Sequence, residues 1–344
     1  MNKTTKRTKT TERTRQNFTD RLIERIDELN SPIVVGLDTT YDHLPDSIKT
    51  GIKTNINKTN INIDKNIESL LISDAIYRFN RDIIDNIYDK VPAIKLQMGC
   101  YEMYGIHGLR AFNKTCDYGR KMGLMVIGDG KRNDIGSSAS YYARAYLSSS
   151  YYSTSSYEGD SSTFSVDALT INPYLGTDGI VPFIEEAKNN KNGLFVLVKT
   201  SNSSSYEIQD LELADGSKVY ERVVELVRGL ASSSSLVGKY GYSLVGAVVG
   251  STCALSGVDM KKLREQLSGI FLLVPGYGAQ GSEGKDLSSF FDKDGRGAII
   301  NASRSIMLAY RSERYKSMYD GMNHGEIAGK EVMRMRDDIT KHKN

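Results

Sequence analysis

The 344-residue chain holds 45 lysines and arginines against 42 aspartates and glutamates, a net charge of +3, with 39% hydrophobic and 25% charged residues. That composition supports a sizeable core, and so small a net charge does not by itself imply a nucleic-acid partner. Three widely spaced cysteines (Cys100, Cys116, Cys253) argue against a disulfide framework, four scattered histidines leave no pair at metal-ligand spacing, and no apolar run is long enough to span a bilayer.

Residues 1–16, MNKTTKRTKTTERTRQ, are basic, threonine-rich and free of aliphatic side chains, and are expected to be a disordered, solvated arm. They also lack the apolar core of a signal peptide. A helix is expected over 17–29, where Phe18, Leu22, Ile23, Ile26 and Leu29 recur at helical spacing.

A repeated pattern follows. Short apolar, β-branched runs at 32–38, 91–99, 124–132, 168–173, 193–202, 245–252, 270–276 and 297–304 each end in glycine, proline, serine, threonine or a charge, and read as strands. Helical periodicity lies between most of them, at 67–90, 180–187, 219–230 and 258–267. Strands alternating with helices need crossover connections and hence a parallel sheet. Eight units point to an α/β fold, a single-domain TIM (β/α)₈ barrel over 17–344, with an open doubly wound sheet as the structural alternative. Three low-complexity stretches, 55–66, 147–165 and 232–235, are expected to be solvated loop insertions.

In such a barrel the functional residues sit at the strand carboxyl ends, which here gives Asp38, Lys95, Asp129, Lys131, Asn172, Thr200, Pro275, Asn301 and Arg304. The run LMVIGDGKRNDIGSS at 124–138 is the most informative. Strand alternation puts Asp129 and Lys131 on one face, and Asp134 follows as the chain leaves the strand. Lys95 and Gln97 repeat the pattern on the neighbouring strand. A solvated ion pair is the bland reading of any one of these charges. A convergent array of lysines and carboxylates is less easily dismissed, because charges brought together must offset one another or serve a substrate. The glycine-rich loop VPGYGAQGSEG at 274–284 and INASRSI at 300–306 follow strands seven and eight, where phosphate is often held, with Gln280, Arg304 and the N–H groups of a helix start as the grip. Residues 276–281 also match G-x-G-x-x-G, but the following strand ends in Asn301 and Arg304 rather than in an acid, against a nicotinamide site.

The ordered set VVGLD (34–38), AIKLQ (93–97), DGKRNDIGSSA (129–139), VKTSN (198–202), VPGYGAQG (274–281) and NASRSI (301–306) resembles the orotidine 5′-phosphate decarboxylase family, in the branch with KTSN and PGxGAQ segments. The resemblance spans most of the chain. It implies decarboxylation of orotidine 5′-phosphate to uridine 5′-phosphate, the last step of de novo UMP synthesis. The implied enzyme is a cytoplasmic homodimer of barrels that needs no metal, flavin or pyridoxal phosphate and has no nucleic-acid or membrane partner. Lys95, Asp129, Lys131 and Asp134 match the family's charged tetrad, with Asp134 entering the partner subunit's site. Asp38 matches the ribose-binding aspartate, and Thr200 and Pro275 the pyrimidine lining. Gln280 and Arg304 match the phosphate grip, and Gln97, Ser138 and Ser303 are further implied substrate contacts. Gln97, Ser138 and Ser305 depart from the residues most frequent there. On this reading Lys131 neutralises a C6 carbanion and then protonates it. Two other readings are weighed: a metal-dependent barrel enzyme acting on a sugar phosphate with the same Asp-x-Lys-x-x-Asp scaffold, and a non-catalytic nucleotide or RNA binder using the basic arm.

Overall fold

Short apolar runs alternate with amphipathic ones along this chain, and the computed structural model turns the first into strands and the second into helices. It describes residues 16–58, 65–148, 164–255, 257–278, 283–319 and 321–343. Nearly all of the basic arm, the centre of the 55–66 stretch, most of the 147–165 stretch and Gln280 lie outside the described residues.

The strands are β1 (Ile33–Gly36), β2 (Ala93–Gln97), β3 (Met125–Arg132), β4 (Ala168–Ile171), β5 (Gly193–Lys199), β6 (Val245–Val249), β7 (Leu272–Pro275) and β8 (Ala298–Ala302). Each pairs in parallel with the next, and β8 pairs with β1 to close a barrel. The helices are α1 (Phe18–Leu29), α2 (Asp46–Lys58), α3 (Lys65–Ile87), α4 (Gly99–Glu102), α5 (Gly105–Lys121), α6 (Gly136–Leu147), α7 (Val181–Asn190), α8 (Val219–Ala231), α9 (Met260–Gln266), α10 (Arg304–Met307), α11 (Lys316–Tyr319) and α12 (His324–His342). The (β/α)₈ expectation is met and the open sheet is excluded. One correction concerns the 55–66 stretch: its ends are the last turn of α2 and the first residues of α3 rather than loop. Asparagine costs a helix only about 0.7 kcal/mol or less per residue, so residues 55–58 and 65–66 continue the periodic segments that flank them.

Two cores result from the two faces of the strands. Outward residues such as Val35, Ile94, Val126, Leu169, Val196, Ala247, Val274 and Ile300 pack under the helices. Inward residues Val34, Ala93, Met125, Ile127, Ala168, Phe195, Val248, Phe271, Leu273 and Ile299 fill the barrel. Helix α1 closes the amino end of this inner core with Phe18, Leu22, Ile23 and Ile26, and Phe18 meets Phe195 edge-on at 6.0 Å. Asn17 caps α1 by accepting from the Asp20 N–H at 2.9 Å. Asp20 in turn accepts from the backbone N–H groups of Lys239 and Tyr240, fixing the helix to the loop before β6. The amino end of the barrel is therefore plugged, and the carboxyl end is left to present polar groups.

Candidate active site

Period-two alternation carries the inward face of each strand from apolar to polar as it runs upward. Lys95 follows Ala93, Asp129 follows Ile127, Thr170 follows Ala168, Pro275 follows Leu273 and Asn301 follows Ile299. Register sets neighbours side by side: Lys95 lies opposite Ile127 and Gln97 opposite Asp129. The convergence at the strand ends is thus a product of alternation and register together.

At its centre is Asp129. Its Oδ2 accepts from Lys95 Nζ at 2.7 Å, and its Oδ1 accepts from Lys131 Nζ at 2.7 Å and from Thr170 Oγ1 at 2.8 Å. Lys95 also approaches Asp38 Oδ1 at 3.5 Å. Burial opposes charge on both Asp129 and Lys95. The two ammonium groups outweigh it and hold the Asp129 carboxyl well below the usual carboxylate range. Asp129 and Asp38 likewise outweigh burial and hold Lys95 above the usual lysine range. Asp129 and Lys95 therefore both stay ionised across the physiological range. The Lys95 side chain is 5% exposed and that of Lys131 is 43% exposed, so Lys95 braces the cluster and Lys131 is its accessible cation.

Simple alternation does not account for Lys131. Its φ is +46°, a left-handed conformation that costs a non-glycine residue roughly 1–2 kcal/mol. The β3–β4 register shifts between Gly128 and Arg132 at the same place. The Lys131 N–H donates to Thr170 Oγ1 at 3.0 Å, and the Thr170 hydroxyl donates onward to Asp129, so Thr170 holds both the bent backbone and the carboxylate. Sequence reasoning does not find Thr170, because ALTINP reads as an ordinary strand.

Two adjoining cavities open over the cluster. One, of about 200 Å³, is lined by Lys95, Asp129, Lys131, Thr170, Thr200 and Pro275. The other, of about 330 Å³, is lined by Asp38, Gln97, Pro275, Asn301, Ser303 and Arg304. Gly36 makes room for the second: a Cβ there would lie 1.9 Å from Ser303 Oγ. Asn301 Oδ1 is buried in this wall without a hydrogen-bond partner, an acceptor that a ligand donor can satisfy. Arg304 is exposed at the start of α10. Since α10 has only four residues, its dipole adds little and the guanidinium is the main cationic group there. Cys100 also lines this cavity, and burial pushes its thiol up to about 11. A larger cavity, about 740 Å³, lies at the opposite end, beside the residues preceding β6, β7 and β8. It contains none of the convergent strand-end residues.

Three expected residues are not brought to the cluster. Asp134 lies beyond β3 and accepts from the Ile135 N–H at 2.8 Å. Ser138 is exposed on the first turn of α6 and lines neither cavity. Asn172, a strand-end candidate, accepts from the Tyr174 N–H and also stays outside.

The profile of the orotidine 5′-phosphate decarboxylase / HUMPS family matches residues 31–316. The chain is 39% identical over 320 residues to the orotidine 5′-phosphate decarboxylase of Clostridium tetani, covering 93% of this chain and 96% of that protein. It is 43% identical over 296 residues to that of Caldicellulosiruptor saccharolyticus, covering 86% and 91%. Its fold is shared with an OMP decarboxylase structure from Leishmania donovani, at a TM-score of 0.66 and 24% identity over 94% of this chain and 99% of that one. The strand-end lysines and carboxylates thus sit in a chain that belongs to the orotidine 5′-phosphate decarboxylase / HUMPS family.

Proposed function

We infer that the Lys95–Asp129–Lys131 cluster carries the decarboxylation of orotidine 5′-phosphate to uridine 5′-phosphate, the final step of UMP synthesis. The observation behind this assignment is the accessible ammonium of Lys131, bonded to Asp129 at 2.7 Å over a cavity that leads to Arg304. In the reaction the C6–carboxylate bond breaks, CO₂ leaves and the bonding pair stays on C6. The Lys131 ammonium neutralises that charge and then gives C6 a proton, and solvent reprotonates the amine. A fixed cation needs no reorganisation at the moment of reaction, which is why preorganisation lowers the barrier. Asp129 keeps Lys131 in place and lies where the departing carboxylate would be disfavoured. Asp38 and Asn301 fit the ribose, Thr200 and Pro275 the pyrimidine, and Ser303 and Arg304 the phosphate, with Gln97 beside them; the family resemblance adds Gln280 to the phosphate grip. The mechanism calls on no metal or organic cofactor.

Asp134 completes the tetrad in a homodimer on this reading. Support comes from its surroundings: Ile135 is 56% exposed and Tyr174 is 80% exposed, with Tyr141 and Tyr206 also exposed on the loops and helices of this end. Large apolar side chains grouped on one rim mark an association surface. Ser138, on α6 beside them, then reaches the partner's nucleotide rather than its own. Three free cysteines and no membrane-crossing helix among the described residues fit a cytoplasmic enzyme.

The experiment is turnover of orotidine 5′-phosphate followed by ultraviolet absorbance, with Lys131→Ala and Asp134→Ala proteins mixed after each is shown to be inactive. A site built from two chains regains up to about a quarter of wild-type activity, because each mixed dimer holds one intact site. No activity in the mixture, despite chain exchange, contradicts the shared site. Magnesium-dependent activity on a ketose phosphate, without turnover of the nucleotide, supports the sugar-phosphate reading instead.

A further inference from the structure

Gln209 lies in the excursion between β5 and α8 and does not line either cavity over the cluster. Its carboxamide is paired with Thr200 through two hydrogen bonds. The Thr200 N–H donates to Gln209 Oε1 at 2.9 Å, and Gln209 Nε2 donates to Thr200 Oγ1 at 2.7 Å. A backbone N–H can only donate, so the carboxamide oxygen must face it and the amide nitrogen must face the hydroxyl. Thr200 therefore accepts from Gln209 and sends its own proton to Asn202 Oδ1, at 2.6 Å, a length typical of O–H···O contacts. One proton direction runs from Gln209 through Thr200 to Asn202.

The frame that holds this chain of bonds is itself tied down by hydrogen bonds and an ion pair. The Lys199 ammonium, almost fully buried at the end of β5, pairs with Asp210 at 2.7 Å and donates to Ser205 at 3.3 Å. The Tyr220 N–H at the start of α8 donates to the Gln209 carbonyl at 3.0 Å. Gln209 is thus fixed behind Thr200, while Thr200 and Asn202 line the cavity beside Lys131.

The consequence is a polarity. A hydroxyl has one proton and two lone pairs. Thr200 has given its proton to Asn202 and one lone pair to Gln209, so it offers a ligand only an acceptor. Asn202 holds its oxygen toward Thr200 and offers its NH₂ donors. An acceptor beside donors complements the imide edge of a uracil-type base, which pairs an N–H with a carbonyl. With the Thr200 acceptor facing the ring nitrogen, this order opposes an aminopyrimidine, whose bare ring nitrogen would meet that acceptor and whose NH₂ group would meet the Asn202 donors.

We propose that Gln209 is a specificity-determining positioning residue, which sets the proton direction along Thr200 and Asn202 so that the site reads a uracil-type imide and rejects an aminopyrimidine. The proposal rests on the placement of Thr200 at the nucleobase. It is tested by calorimetric titration of the full chain with uridine 5′-phosphate and with cytidine 5′-phosphate. Gln209→Glu reverses the polarity, because a carboxylate accepts from both the Thr200 N–H and its hydroxyl, and Asn202 is released. The preference for the uridine nucleotide is expected to fall by about tenfold or more. Gln209→Ala, which removes the restraint without adding charge, is expected to lower the same ratio. Equal weakening of both nucleotides in both variants, with the ratio unchanged, assigns Gln209 a purely structural role and overturns the proposal. Thr200→Val separates the proposal from its foundation. If that variant also leaves the ratio unchanged, Thr200 is not at the base and both fail. If it collapses the ratio while the Gln209 variants do not, the role of Gln209 alone is refuted.

Discussion

Replacing Asp129 by asparagine removes the one carboxylate that both lysines share. Asparagine keeps an oxygen for the Thr170 hydroxyl, but its NH₂ group must face an ammonium that had an acceptor at 2.7 Å. Lys95 is 5% exposed, so its lost charge-assisted bond is worth about 1.5–3 kcal/mol. Lys131 is 43% exposed, and solvent screening leaves its pair at under about 1 kcal/mol. The sum is about 2–4 kcal/mol, towards the lower end of the range for breaking a buried pair, because Asp38 remains 3.5 Å from Lys95. That is a large share of a typical folding stability of about 5–15 kcal/mol. Equilibrium urea denaturation of wild-type and Asp129→Asn protein measures it. The pH dependence gives a second check. The folded Asp129 carboxyl lies below its unfolded value, so its stabilisation is complete above the unfolded pKa and is lost only as pH falls through the depressed folded one. The gap between the two proteins should hold steady from about pH 7 to about pH 5 and narrow only below about pH 4. A loss under about 0.5 kcal/mol at pH 7, or a gap that already closes by pH 5, would refute the reasoning.

Other outcomes follow from single features of the site. Lys131→Gly should be more stable than Lys131→Ala by about 1 kcal/mol in thermal unfolding, because φ is +46° there; equal stabilities would deny the strain. Gly36→Ala places a methyl group 1.9 Å from Ser303 Oγ, so it should displace the start of α10 and weaken uridine 5′-phosphate binding more than uridine binding, as titration would show. With its thiol at about 11, Cys100 should react with iodoacetamide at pH 8 roughly 100-fold more slowly than an unperturbed cysteine, and should gain reactivity as pH rises toward that value, read by mass spectrometry.

The barrel was legible because each strand is a short β-branched run with a definite end, and because helical spacing separates most of them. Helices with mixed signals were harder. Helix α5 carries Gly105 and Gly108, residues of low helix propensity, yet Gly108 is required: a Cβ there would lie 1.9 Å from the Tyr101 carbonyl oxygen. Helix α12 buries Ile327, Val332, Met335 and Ile339 on one face, a spacing hidden among charged residues. In the site, Lys95, Asp129 and Lys131 were readable from their places at strand ends. Thr170 and Gln209 were not, since a hydroxyl or a carboxamide acquires its role only through register and loop closure. The left-handed turn at Lys131 was not legible either, because the position itself holds a lysine rather than a glycine.

The central claim is that the Lys131 ammonium meets the charge that develops on C6. Its most direct test is single-turnover conversion of orotidine 5′-phosphate by wild-type and Lys131→Ala proteins at saturating substrate. The variant is expected to fold and bind uridine 5′-phosphate, while its rate falls by about 10⁴-fold or more. A variant that keeps its rate to within about tenfold of wild type would contradict the account.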